Sequence, residues 1–296
     1  MKKIVITPLV SRDMVKAKRC VYSAQTLMPT KNFIFNVYPI INSLDNKFVE
    51  EFSEWCDSQK IYYKITPSNG TPSKGKNECL KFLRQSGFDG LCMVDGDDMF
   101  YPSASLQIER HLMHHPGTDL LIVKPSDQII NFDRGVQIKD NIHAICWGDN
   151  IFSLKYNYGP AKNECFTDRY ATGNLGGHVF YSRKLADKVS YDEEQLLGED
   201  LLLEFECLKL HQKGELCFWL SFASDVQFLD RSDENNIQNI NNSTKGDECY
   251  KRLIEKISTF IDINRSSFNE LPCEFPEMIF SYQEKIDWIK KVVEKF

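Results

Sequence analysis

The feature that most constrains this chain is the alternation of extended and helical patterns over its first 125 residues. Lys3 to Val10 is a β-branched apolar run, and Asp13 to Leu27 carries helical spacing at Met14, Ala17, Val21 and Ala24. Phe33 to Ile41 is a second extended segment, followed by a helical stripe at Phe48, Phe52, Trp55 and Cys56. Ile61 to Thr66 reads as a third strand, Asn77 to Gln85 as a helix, and Leu91 to Val94 as a short apolar strand. Leu106 to His114 is helical again, and Leu120 to Val123 extended. Repeated β-α units bury both faces of their strands only in a mainly parallel sheet flanked by helices, so the sequence predicts an α/β, Rossmann-like architecture. Ligands of such sheets bind beyond the carboxyl ends of the strands. The positions to inspect are therefore Pro8 to Arg12, Asn42 and Ser43, Pro67 to Asn69, and Asp95 to Asp98.

The rest of the chain is less regular. From Asp127 to Asn174, Asn, Gly, Asp and aromatic residues mix without a clear period, which suggests short strands and loops walling an acceptor. Gly176 to Tyr181 reads as turn and strand, Arg183 to Val189 as a short helix, Leu201 to His211 as a strong helix, and Leu216 to Phe222 as a strand. Residues 232–248 are polar and Asn-rich and read as a linker. Tyr250 to Ile263 and Tyr282 to Val293 read as amphipathic helices. The expected organisation is a catalytic domain over 1–231, with a nucleotide-binding half at 1–125 and an acceptor half at 126–231. A linker at 232–248 and a C-terminal helical segment at 249–296 follow.

Composition removes several classes of function. The net charge of −6, with no basic run, argues against nucleic acid as a partner. The longest purely apolar runs are short, such as Leu120 to Val123, where a bilayer span needs ~20 residues. The first residues lack the apolar stretch of a signal peptide. The sequence thus predicts a cytoplasmic chain without a transmembrane segment, at most peripheral to a membrane. Its ten cysteines are scattered with no C-x-x-C pair, as expected of reduced core thiols.

Chemistry concentrates at three places. Asp95-Gly96-Asp97-Asp98 follows an apolar strand. Side chains two apart on an extended segment point the same way, so Asp95 and Asp97 share one side of the strand end. Two such carboxylates repel unless a cation joins them, and a hard divalent ion, Mg2+ or Mn2+, suits oxygen ligands and phosphates. The alternative is a plain acidic turn. Gly96 is expected to admit a ligand close to the backbone. The second place is Gly198-Glu199-Asp200, at the start of a helix. There the acids either serve only the helix dipole or place a carboxylate to take a proton from a hydroxyl. Gly177, in the pair some twenty residues earlier, is expected to admit substrate. The third is Asn69 to Asn77, read as a flexible strand-to-helix connection whose Lys74 and Lys76 either steer a diphosphate or are merely solvated.

Together these residues resemble family-two glycosyltransferases of the GT-A fold, from the first strand to about residue 230. Met93 to Pro102 is the most specific match, resembling that family's "LDSDDwlyP" segment; Asn69-Gly70 with Gly75-Lys76-Asn77, and Gly198-Glu199-Asp200, match its glycine-rich and "GED" segments. The resemblance implies an inverting, metal-dependent transfer of a sugar from a nucleotide donor, a UDP-sugar by default, to a glycan or other hydroxyl. By it, Asp95 contacts the nucleoside, Asp97 binds Mn2+ or Mg2+, Asp200 is the general base and Glu199 orients the acceptor. Pro8, Ser11, Arg12, Asn42, Asn69, Lys76, Asn77 and Gly96 are placed around the donor. Asp230 stands near the position of a further metal ligand, and His178 and Trp147 near the acceptor. Two other classes fit the same residues: a metal-dependent nucleotidyl- or phosphotransferase, and a noncatalytic module that binds nucleotide sugars or glycans. His111, His114 and His115 are read as structural, at the C-terminus of their helix.

Overall fold

The computed structural model describes residues 1–123, 177–196, 198–229, 251–253, 255–257, 259–260 and 271–296, residue 248, and the backbone of 127–129, 138–140 and 230. The first strand, β1 (Lys2–Val10), forms the middle of a nine-stranded sheet. It pairs in parallel with β2 (Phe33–Val37), β3 (Ile40–Ile41) and β5 (Gly90–Asp95), and β3 pairs in parallel with β4 (Lys64–Ile65). On the far side of β5 the one antiparallel strand of this sheet, β10 (Gly177–Ser182), separates it from β7 (Leu120–Val123). The sheet then continues in parallel through β11 (Phe218–Ser221) to β13 (Cys273–Glu274). The expected mainly parallel sheet between helices is the one observed.

Strand periodicity explains the two main cores. On β1, Ile4 and Ile6 face one side, with Cys92, Val94, Leu121 and Val123 of neighbouring strands. That side is covered by α1 (Met14–Gln25) and α4 (Ala104–His114), through Cys20, Ala24, Ile108 and Leu112. Val5 and Leu9 face the other, with Leu91, Met93, Leu120 and Ile122. That side is covered by α3 (Pro72–Gln85), α5 (Arg183–Lys188) and α6 (Glu199–Gln212). Helix α2 (Asn46–Ser58) packs Phe48, Phe52 and Cys56 against Val10, Ile41 and α1.

Two departures from the sequence reading have simple causes. The run Phe33 to Ile41 is two strands, because Pro39 offers no N–H and the ladder breaks there. Pro8 lies inside β1 rather than beyond it, paired with Val94. It is tolerated because it sits opposite that same break, between the pairs Ile6↔Val37 and Leu9↔Ile40.

A second sheet of four strands was not expected. Its order is β6 (Met99–Phe100), β12 (Gln227–Asp230), β8 (Asp127–Ile129), β9 (Ile138–Asp140). The last helix, α7 (Tyr282–Lys295), packs Trp288, Ile289 and Val292 on Met99, Tyr101 and Phe228. Buried Asp225 accepts from Gln107 Nε2 at 2.7 Å and from the backbone N–H of Ile279 and Phe280 at 2.9 Å each, which anchors the segment leading to α7. Among the described residues, no helix is long and apolar enough to cross a membrane.

Candidate active site

The carboxyl ends of β1 and β5 lie side by side, with Leu9 opposite Asp95. Beyond Asp95 the chain turns back at once: Asp98 N–H donates to the Asp95 carbonyl at 2.8 Å. Asp95 and Asp97 are half-buried and Asp98 is buried. All three carboxylates bear on the Cys20 thiol below the turn, which donates to the Asp95 carbonyl at 3.4 Å. Burial first, then the fields of Asp98, Asp97 and Asp95, push that thiol well above its ordinary range. The three acids expected at this strand end share the turn, but their ligand atoms are not gathered into a group of three within 4.8 Å of one another. Gly96 has a packing role visible in the structure. A Cβ there would stand 2.6 Å from the Leu9 carbonyl oxygen and 2.9 Å from Val10 Cα, so the missing side chain lets the turn press on β1.

The second group of acids reaches the same end of the sheet from α6. Gly198 adopts φ 74°, the left-handed conformation, and turns the chain into the helix. Glu199 and Asp200 therefore occupy its first turn, where the dipole favours them. Both are bound by one cation: Lys76 Nζ donates to Asp200 Oδ1 at 2.7 Å and to Glu199 Oε1 at 2.9 Å. The side chains are 6% exposed for Lys76, 11% for Glu199 and 23% for Asp200, so Asp200 is the more open acid. Burial alone would lower the Lys76 ammonium, but the carboxylates of Asp200, Asp95 and Glu199 outweigh it and hold the group well above its ordinary range. Lys76 thus lies in the field of the strand-end acid Asp95 as well as the helix-start acid Asp200. For Glu199 burial dominates; with Asp200 it raises the carboxyl against the pull of Lys76.

The lysines were read in a flexible connection, either steering a diphosphate or merely solvated. Instead α3 begins at Pro72, because Thr71 Oγ1 caps the Lys74 N–H at 3.2 Å and proline suits the first helical position. Lys76 is thereby held on a helix and committed to two carboxylates, which need a buried counterion more than a solvated ligand would. Lys74 pairs with Glu193 and Glu78, each at 3.4 Å. Asn77 clamps the chain ahead of α6: its Nδ2 donates to the Tyr191 carbonyl at 2.9 Å and its Oδ1 accepts from Tyr191 N–H at 2.8 Å. Asn69 caps its own turn, accepting from Thr71 N–H and Oγ1. Buried Asn42 donates to Thr66 Oγ1 at 3.0 Å and to the Pro67 carbonyl at 2.7 Å, tying together two strand ends. Ser11, through its carbonyl, accepts from Ser43 Oγ at 2.5 Å, and it and Arg12 are half-buried beyond β1.

On the acceptor side, His178 is buried rather than open. Its Nδ1 meets Tyr191 Oη at 3.2 Å, its Nε2 meets Glu204 Oε1 at 3.0 Å, and Asp200 Oδ1 lies 3.9 Å from Nδ1. Tyr191 Oη also bonds Tyr181 Oη at 2.6 Å. This buried network behind Asp200 was not read from the sequence, because Tyr181, Tyr191 and Glu204 carry no motif. Gly177 opens β10, and the space of a side chain there is filled by Gln227. Asp230 ends β12, whose register against β6 is Phe228↔Met99 and Gln227↔Phe100. Trp147 lies outside the described residues.

No family model matches this sequence, and neither does any curated protein. Among solved structures, S. aureus TarS 1–349 in complex with UDP-GlcNAc is similar at TM-score 0.50 and 16% identity, over 80% of this chain and 61% of that one. S. aureus TarS itself gives TM-score 0.49 and 16% identity, over 98% of this chain and 47% of that one. The structure of TarS 1–349 gives TM-score 0.48 and 15% identity, over 78% and 60%. The chain spans about three fifths of the length of the first two TarS 1–349 structures it matches. The likeness shows the fold: this is the GT-A-like architecture expected from the sequence.

Proposed function

We propose that this chain is a glycosyltransferase that moves a sugar from a nucleoside diphosphate, a UDP-sugar, to an acceptor hydroxyl with inversion at the anomeric carbon. The observation that carries the reading is the buried ion pair of Lys76 with Asp200 and Glu199, at the carboxyl end of a GT-A-like sheet and in the field of the Asp95 turn. The TarS structure in complex with UDP-GlcNAc supports the donor class.

In this reading Asp200 takes the proton from the attacking hydroxyl. It is the most open member of its cluster and pairs with Lys76 at 2.7 Å. The ion pair holds the carboxylate in place, and proximity of the hydroxyl supplies much of the effect. Glu199 is locked to Lys76 and acts by positioning that lysine. His178 and Tyr191 form the floor beneath Asp200. Asp97, with Asp95 and Asp98 in the same turn, offers the hard oxygen donors that suit Mg2+ or Mn2+. Such an ion, when bound, neutralises charge developing on the leaving diphosphate.

The test is a thermal-shift screen of nucleotide sugars with and without Mn2+, followed by transfer assays on two variants. Asp97→Ala should lose metal-dependent stabilisation by the donor and all transfer. Asp200→Asn should keep donor binding and lose transfer by roughly 100-fold or more, the usual weight of a general base. Transfer by Asp200→Asn near the wild-type rate would refute the base assignment. Release of phosphate from simple esters, with no sugar transfer, would refute the reaction class.

A further inference from the structure

The opposite edge of the sheet carries a second cluster. His111 and His115 lie four residues apart at the end of α4, hence on one helix face, and Glu274 of β13 meets them. One ligand atom from each lies within 4.8 Å of the others, the one group of three or more such side chains among the described residues. His111 Nδ1 stands 2.7 Å from Glu274 Oε1, and His115 Nε2 stands 3.5 Å from Glu274 Oε2.

The hydrogen-bond polarity around His111 is decisive. Thr118 Oγ1 donates its only proton to the His115 carbonyl at 2.8 Å. It must therefore accept at 3.0 Å from His111 Nε2, which carries the hydrogen. A neutral His111 then points the lone pair of Nδ1 at a carboxylate oxygen. Two lone pairs at that separation need either a second proton or a metal ion between them. The N–H to Thr118 is the outer-shell bond that fixes the tautomer of a metal-binding histidine. The His115 ring is held as well, stacked on Trp219 with centroids 3.8 Å apart. His111 is 1% exposed, while His115 and Glu274 are half-buried and leave an entry path.

We propose that His111 Nδ1, His115 Nε2 and a Glu274 carboxylate oxygen form a site for a zinc-class divalent ion that fastens β13 to α4. Two imidazoles and a carboxylate are a zinc-type donor set with a fourth position left for water. Ligands on ~2.0 Å bonds in a tetrahedron stand roughly 3.3 Å apart, so the observed 2.7 and 3.5 Å separations require only small side-chain shifts. The site is distinct from the acidic turn. Along the strand order β13, β11, β7, β10, β5 it lies four strands away, roughly 19 Å at the usual spacing. It stands whether or not the transferase reading holds.

Untagged full-length protein stripped with a chelator should bind one Zn2+ per chain by calorimetry and show the visible absorption of tetrahedral Co2+. His115→Ala and Glu274→Gln should each abolish that absorption, and Asp97→Ala should keep it. Thr118→Val should weaken Zn2+ by about 10- to 100-fold, as expected when an outer-shell partner is lost. Should His115→Ala fail to fold, Glu274→Gln decides. Absence of Zn2+ and Co2+ binding by the wild type would overturn the site and leave a proton-shared ion pair. So would binding that survives Glu274→Gln, or binding that Asp97→Ala removes.

Discussion

Replacing Lys76 with Met removes the positive charge from among Glu199, Asp200 and Asp95 while keeping most of the buried stem. Lys76 and Glu199 are nearly enclosed, so solvent screens little of the effect. Breaking a buried pair by deleting one partner costs about 3–5 kcal/mol, because the remaining charge is left uncompensated. Taking about 2 °C per kcal/mol for a chain of this size, Tm should fall by about 6–10 °C near pH 8. The deficit should shrink on acidification, since Glu199 already has a raised carboxyl and takes up a proton readily once the lysine is gone. Calorimetric unfolding of both proteins from pH 5 to pH 8 reads this out. A Lys76→Met protein within about 1 kcal/mol of wild type at pH 8, or one whose deficit grows toward acid, would refute the central role given to this cation. Lys76→Arg should be intermediate, because a planar guanidinium keeps the charge but needs more room than an ammonium.

Glu199→Gln tests the same network from the other side. Because the folded-state carboxyl is raised, the folded protein binds more protons than the unfolded chain between the ordinary carboxylate range and the raised value. Wild-type stability therefore falls as pH rises through that window, and the glutamine variant should show a flatter dependence in the same titration. Gly96→Ala should cost about 1–3 kcal/mol by denaturant unfolding, since both neighbours of the added methyl are β1 backbone and yield little; a neutral result would mean the turn is not pressed on β1.

Much of the sheet was legible because near-continuous apolar runs such as Ile4 to Val10 and Leu120 to Val123 have few alternatives to burial on both faces. The acidic turn was legible because its carboxylates sit where such a sheet presents ligands. What local pattern could not supply was pairing over distance. Lys76 and Asp200 are 124 residues apart, and nothing near Lys76 marks it as a buried counterion rather than a surface charge. The same holds for Glu193 and Glu194: Glu193 binds Lys74 and Asn77, and Glu194 binds Arg252. The start of α3 was readable in principle from Thr71-Pro72, but the glycines at 70 and 75 suggested a loop. Gly75 is in fact helical, where a Cβ would stand 2.9 Å from the Leu9 side chain. His111 and His115 were readable as a helix-end pair, but their partner Glu274 lies more than 150 residues on.

One lysine serving two acids has a consequence for how the site is held. Helix α3 follows β4 in the first part of the chain, whereas α6 comes more than a hundred residues later, and among the described residues no disulfide joins them. Side-chain contacts do: Lys76 to the start of α6, Asn77 to the backbone of Tyr191 and to Glu193, Ser73 to the Gln195 carbonyl, and Lys74 to Glu193. All of these leave the first turns of α3, just after the Thr71 cap. The position of Asp200 relative to the Asp95 turn is therefore set by where α3 begins. A shift of α3 by one residue would rotate Lys76 by about 100° about the helix axis and leave Glu199 and Asp200 repelling each other at a helix start. On this argument the Thr71 cap and Pro72 do more than end a loop: they fix the angle at which the acid of one half faces the acids of the other.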